Sequence, residues 1–137
     1  MRLPALIALL ALAGPAAAAR QDLPTLSAAQ AISRAAAAPR PVRALFQFKV
    51  ASAAKSRDGF YLDSEKDFHS PANLGVAIRA SAMPGLTKKY GPDLKAALVG
   101  KTVKLIGQVQ RVKVGKAHAT TATQVEVTHA GQILSVS

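Results

Sequence analysis

Cysteine is absent from the chain. Its absence excludes disulfides, a lipid-modified cysteine at a cleavage point and any thiolate metal site, so the fold must be held by its own apolar core. Tryptophan is missing as well, and four Phe and two Tyr are the only aromatic residues. That leaves Val, Leu and Ile to build the core, a supply that suits a small β domain. Only three histidines occur, His69, His118 and His129, and acids are scarce, with seven Asp and Glu against eighteen Lys and Arg. No uninterrupted apolar run reaches the ~20 residues of a membrane-spanning helix, because Gly14 and Pro15 break the N-terminal one.

That N-terminal stretch, "MRLPALIALLALAGPAAAAR", carries Arg2, an apolar segment from Leu3 to Leu12 and the small residues Ala17-Ala18-Ala19. The pattern predicts a secretory signal peptide over 1–19, cut near Ala19, and a periplasmic or secreted protein. Residues 20–137 then amount to 118 of the 137, enough for one domain and too few for two. The expected division is a helical lead over 20–42 and a folded domain over 43–137. Without Arg2, seventeen Lys and Arg face seven Asp and Glu, a formal charge of +10. Such a balance draws anionic partners: nucleic acid, anionic lipid or glycan, or an acidic protein.

Ser27 with Gln30 three places later forms a capping-box pattern before the alanine-rich stretch from Ala28 to Ala38, and Pro39 and Pro41 stop it, which predicts a short N-terminal helix. Phe46, Phe48 and Val50 then alternate with Leu45, Gln47 and Lys49 as a half-buried strand does. Arg57-Asp58-Gly59 marks a turn into a second strand, where Phe60 and Leu62 point inward opposite Tyr61 and Asp63. Leu74, Val76 and Ile78 give a third. The "PGLTKKYGPDLKAALVG" segment over 84–100 shifts to helical spacing; Gly91-Pro92 interrupts it, predicting a loose turn followed by a helix from Pro92 to about Val99. Val103, Leu105, Gly107 and Val109 form one face of a fourth strand, in which Gly107 is expected to permit a bend. Val125, Val127, Ile133 and Val136 close the chain in a fifth.

Three strands, a helix and two strands in this order predict an all-β fold: a five-stranded OB-fold barrel with a helix between strands 3 and 4, plus the short N-terminal helix. The segments Gly59-Phe60-Tyr61-Leu62-Asp63, Asp67-Phe68, Pro71 with Leu74, Gly100-Lys101-Thr102-Val103, Gly107, Thr123-Gln124-Val125 and Gln132-Ile133 resemble the small exported bacterial OB-fold proteins of the nucleic-acid-binding, tRNA-anticodon-like class. The resemblance covers about Leu45 to Val136 and implies a binding role. The longer "VGKAHATTATQV" loop departs from the short polar hairpin such proteins carry before the last strand, so no ligand contact is transferred to it.

Asp63, Glu65, Asp67 and His69 crowd into seven residues, which raises a metal site or a catalytic one. A calcium loop starting at Asp63 would need glycine at its sixth place and an acid at its twelfth, where Phe68 and Leu74 stand. Zinc would need three or four convergent ligands, and the histidines are scattered. No nucleophile-turn motif accompanies Ser64, Asp67 and His69. The expectation is therefore no catalytic residue, no metal and no cofactor, with the acids capping turns.

Binding suits the residues better. The expected function is non-enzymatic binding of single-stranded nucleic acid or another anionic polymer on the outer face of strands 1–3 and the basic fourth strand. The candidate ligand-binding residues are Tyr61, Arg79, Lys49, Phe68, Lys104, Arg111 and Lys113. The alternative is an envelope protein-interaction or structural module with no nucleic-acid ligand.

Overall fold

In the computed structural model, residues 22–137 are described; the expected signal peptide and its cleavage point near Ala19 lie outside them. The described chain forms eight strands and three helices: β1 (Thr25–Leu26), α1 (Ala28–Ala37), β2 (Val42–Lys49), β3 (Ser52–Ser56), β4 (Gly59–Asp63), β5 (Leu74–Arg79), α2 (Met83–Tyr90), α3 (Leu94–Leu98), β6 (Thr102–Val114), β7 (Thr120–Val127) and β8 (Ile133–Val136). All strands belong to one mixed sheet in the order β1-β2-β6-β7-β5-β4-β3, with β8 added beside β6. The β1–β2 and β5–β7 pairs are parallel and the others antiparallel.

This corrects the expected five-stranded barrel with one helix between its third and fourth strands. The eight-stranded sheet is open, seven strands forming its path with β8 beside β6, and two helices lie between β5 and β6. The first difference arises at Val50-Ala51. The Val50 N–H donates to the Lys101 carbonyl and the next N–H, that of Ala51, donates to the Asp63 carbonyl, each at 2.9 Å. The strand changes partners between two consecutive residues, so one run of alternating side chains yields β2 on one part of the path and β3 at its end.

The second difference lies at the start. The Pro24 carbonyl accepts from the Leu45 N–H at 2.9 Å, and Thr25 and Leu26 pair with Leu45 and Phe46, adding β1 before the helix. The third is α2, which runs through Pro84 and Gly85 where a loose turn was expected. Pro84 sits in the first turn, where its missing N–H leaves no bond unmade. Gly91, with φ of 105°, ends α2, and the Asp93 side chain caps α3 by accepting from the Ala96 N–H at 3.0 Å. The fourth is a 3-10 turn over Ala130–Gln132, which separates β8 from β7.

Helix α1 begins at Ser27, whose hydroxyl accepts from the Gln30 N–H at 3.2 Å while the Gln30 side-chain Oε1 accepts from the Ser27 N–H at 2.9 Å. Its buried face is Ala31 and Ala35, small enough for the helix to sit close on β6, β2 and β5. A single core gathers Phe46, Phe48, Phe60, Leu62, Leu74, Val76, Ile78, Leu105, Val109 and Val125 from the sheet with Leu86, Leu94 and Leu98 from α2 and α3. No helix of the described residues is long and apolar enough to cross a membrane.

At Gly107 the structure shows a close approach of neighbouring side chains. The glycine's backbone is ordinary strand, and a Cβ there would lie 2.7 Å from Val125 Cγ1 and 3.4 Å from Gln132 Nε2. Glycine is needed for close approach of β6 to β7 and to the turn before β8.

Candidate ligand-binding groove

Phe60 and Leu62 enter the core from β4, so the pleat turns Tyr61 and Asp63 to the opposite face. Tyr61 stands between Ala54 of β3 and Ala77 of β5, and Asp63 between Ser52 and Gly75. These small neighbours leave the face open around the phenol ring and the carboxylate. Next to β5, β7 brings Gln124 level with Gly75.

The connection from β4 to β5, residues 64–73, folds over this face and is pinned by Asn73. Asn73 Nδ2 donates to Asp63 Oδ1 at 2.9 Å, and Asn73 Oδ1 accepts from the Glu65 N–H at 3.0 Å. Ser64 Oγ accepts from the Leu74 N–H at 2.8 Å, and Ser52 Oγ donates to the Glu65 carbonyl at 3.0 Å. At the tip, Asp67 Oδ1 accepts from the His69 N–H at 3.0 Å, and the ring of Phe68 lies 4.1 Å from that of His69. Phe68 is 60% exposed, an apolar ring presented to solvent beside the groove. Asp63 and Asp67 thus accept hydrogen bonds within this connection through their carboxylates, Glu65 and His69 contribute backbone N–H groups, and among the described residues no three His, Asp or Glu side chains gather as metal ligands would.

The far wall is the β6–β7 hairpin, paired from Val109–Val125 out to Val114–Thr120. Together the connection, the hairpin, the β3–β4 hairpin and the exposed side of α1 enclose a groove of about 610 Å³. Tyr61, Asp63, Phe68, His69, Asn73, Gln124, Arg111 and Lys55 line it, with Ile32 and Ala36 of α1 at one end. The three buried polar residues of the described chain, Asp63, Asn73 and Thr123, all belong to its lining. Burying polar groups opposes folding unless they are well paired, and this fold concentrates them at one place.

Burial pushes the Asp63 carboxyl above its ordinary value, and the Asn73 hydrogen bond opposes that shift. Lys55 and Arg111 are exposed and bring positive charge to the rim.

Of the seven residues expected to bind ligand, Tyr61, Phe68 and Arg111 meet in this groove. Arg79 does not: its guanidinium donates to Glu126 Oε2 at 3.1 Å outside the lining, and that bond raises its already high pKa. Lys49 and Lys104 lie near the opposite end of β6, where Lys49 is level with Thr102 and Lys104 with Gln47. Lys113 is exposed on the hairpin without lining the groove. Asn73, Gln124 and Lys55, none of them expected at a binding face, also line the groove, and so does Asp63, for which no binding role was expected. The alternation that turned Tyr61 outward applied equally to Asp63, and that was the available signal.

A second hollow of about 420 Å³ surrounds Gly107. The Gln132 amide that lines it is already spent: Nε2 donates to the Ile106 and Glu126 carbonyls and Oε1 accepts from the Thr128 N–H. No protein-family model matches the chain, and no curated protein is detectably similar to it.

Proposed function

We propose that the protein is a non-enzymatic binder of single-stranded nucleic acid, held in the groove between the 64–73 connection and the β6–β7 hairpin. The observation that carries this reading is the meeting of Tyr61, Phe68 and Arg111 around one open groove. Aromatic rings offer a stacking surface to any base, worth about 1–3 kcal/mol per base. Arg111 and Lys55 supply cationic groups for the phosphates, and the chain's formal charge of +11 adds long-range attraction.

Fluorescence-anisotropy titration of a labelled single-stranded oligonucleotide tests the reading. Affinity should fall steeply between roughly 50 and 200 mM salt. Tyr61→Ala should weaken it by about fivefold or more. Absence of binding at low salt removes the proposal.

One observation favours a second reading, a protein-interaction module. β3 ends the sheet path and, among the described residues, pairs only with β4, so its outer edge could take an added strand from a partner. Capture of a partner protein that survives nuclease treatment, together with failure to bind oligonucleotide, would select it.

A further inference from the structure

A carboxylate on the wall of a groove meant for a polyanion is out of place if phosphate is what lies against it, because the two charges repel. Asp63 holds that position. The residue is 8% exposed and lines the groove. Among the described residues its one side-chain hydrogen-bond donor is Asn73 Nδ2, at 2.9 Å on Oδ1. No Lys, Arg or His nitrogen of those residues lies within 4.0 Å of it. An ionised carboxylate accepts about four hydrogen bonds, so Asp63 has acceptor capacity left. None of the sealed side-chain oxygens and nitrogens lacks a partner, so the oxygen that Asn73 leaves free opens to the groove.

The surroundings account for the other oxygen. Asn73 holds one oxygen, and Gly75, level with Asp63 on β5, would place a Cβ 3.4 Å from that oxygen if it had one. Tyr61 lies two residues back on the same strand face, about 7 Å along the chain. A flat ring stacked on Tyr61 therefore has its edge within reach of Asp63, and that edge must carry a hydrogen-bond donor.

We propose that Asp63 determines base preference in the groove, accepting a hydrogen bond from the exocyclic amino group of a base stacked on Tyr61. The inference rests on the nucleic-acid reading above and narrows its ligand to strands bearing amino bases, with cytosine favoured over thymine or uracil. Thymine and uracil present a carbonyl oxygen where cytosine presents its amino group; an oxygen there faces the carboxylate without a donor, and the one donor of that edge, the ring N3–H, lies one position inward, so the fit is poorer.

The test compares DNA oligomers of equal length, one all cytosine and one all thymine, by anisotropy at neutral pH and fixed salt. DNA is used so that a ribose hydroxyl cannot act as the donor. The wild-type protein is expected to bind the cytosine oligomer about fivefold to tenfold more tightly. Asp63→Asn keeps its oxygen on Asn73 and turns the amide NH2, a donor, toward the base, so the cytosine preference should be lost or turned toward thymine. Equal, salt-sensitive binding of both oligomers by the wild-type protein overturns the role of Asp63 and leaves the proposed function standing. Retention of the cytosine preference by Asp63→Asn also overturns it. Failure of the wild-type protein to bind either oligomer at low salt overturns both proposals.

Discussion

Asp63 carries a cost in the folded protein that can be measured apart from any ligand. Burial raises its pKa from the ordinary 3.8, with Asn73 acting in the opposite sense. A raised carboxyl pKa means that the folded state binds the proton more tightly than the unfolded chain. The resulting stabilisation is fully present below the unfolded value and is lost as pH rises through the folded one. Asp63→Asn keeps an oxygen for Asn73 and removes the charge, so its melting temperature should exceed that of the wild-type protein at pH 7. The gap should shrink as pH falls from the raised folded-state value towards 3.8 and stay constant below it. A variant less stable than the wild type at pH 7 would show that the charged form is favoured by groups other than Asn73. Gly107 gives a second test: Gly107→Val drives side-chain atoms into Val125 and should cost about 1–3 kcal/mol by overpacking. An unchanged melting temperature would contradict the close approach. At this scale the alternation of Phe60 and Leu62 made the outward position of Tyr61 legible, whereas the burial of Asp63 depends on Asn73, ten residues away along the chain, and no local pattern announces that bond.

Among the elements, α1 was legible because its start is written in adjacent residues, the Ser27–Gln30 box. Ser27→Ala removes the hydroxyl that receives the Gln30 N–H and should cost about 1 kcal/mol, seen as a lower melting temperature and faster amide exchange at Ala31. No change in either would mean that packing of Ala31 and Ala35 alone holds the helix. The split of β2 from β3 was not legible. Side-chain alternation reports which face a residue takes, not which strand its backbone pairs with, and the exchange of partners at Val50 and Ala51 leaves the apolar pattern nearly unbroken. Helix α2 was hidden for a related reason: Pro84 and Gly85 read as breakers, yet Pro84 occupies the first turn, where proline is tolerated. β1 and β8 are short and owe their pairing to β2 and β6; Ile133 and Val136 read as strand residues, but nothing in them marks β8 as separate from β7.

At the scale of the whole molecule, the positive charge was plain in the composition, but its distribution was not. Of the basic residues expected at a binding face, Arg111 reaches the groove, Arg79 is engaged by Glu126, and Lys49, Lys104 and Lys113 lie elsewhere. The groove itself depends on the 64–73 connection and the β6–β7 hairpin meeting across the sheet, a long-range arrangement that residue order does not encode in any local window. The measurement that bears most directly on the proposed function is oligonucleotide affinity as a function of salt for the wild-type protein, Tyr61→Ala and Arg111→Ala. If the groove is the site, Tyr61→Ala should lower affinity by about fivefold or more at every salt concentration. Arg111→Ala should lower it and reduce the slope of log affinity against log salt by about one. Salt-sensitive binding that neither substitution alters, or no binding at low salt, would contradict it.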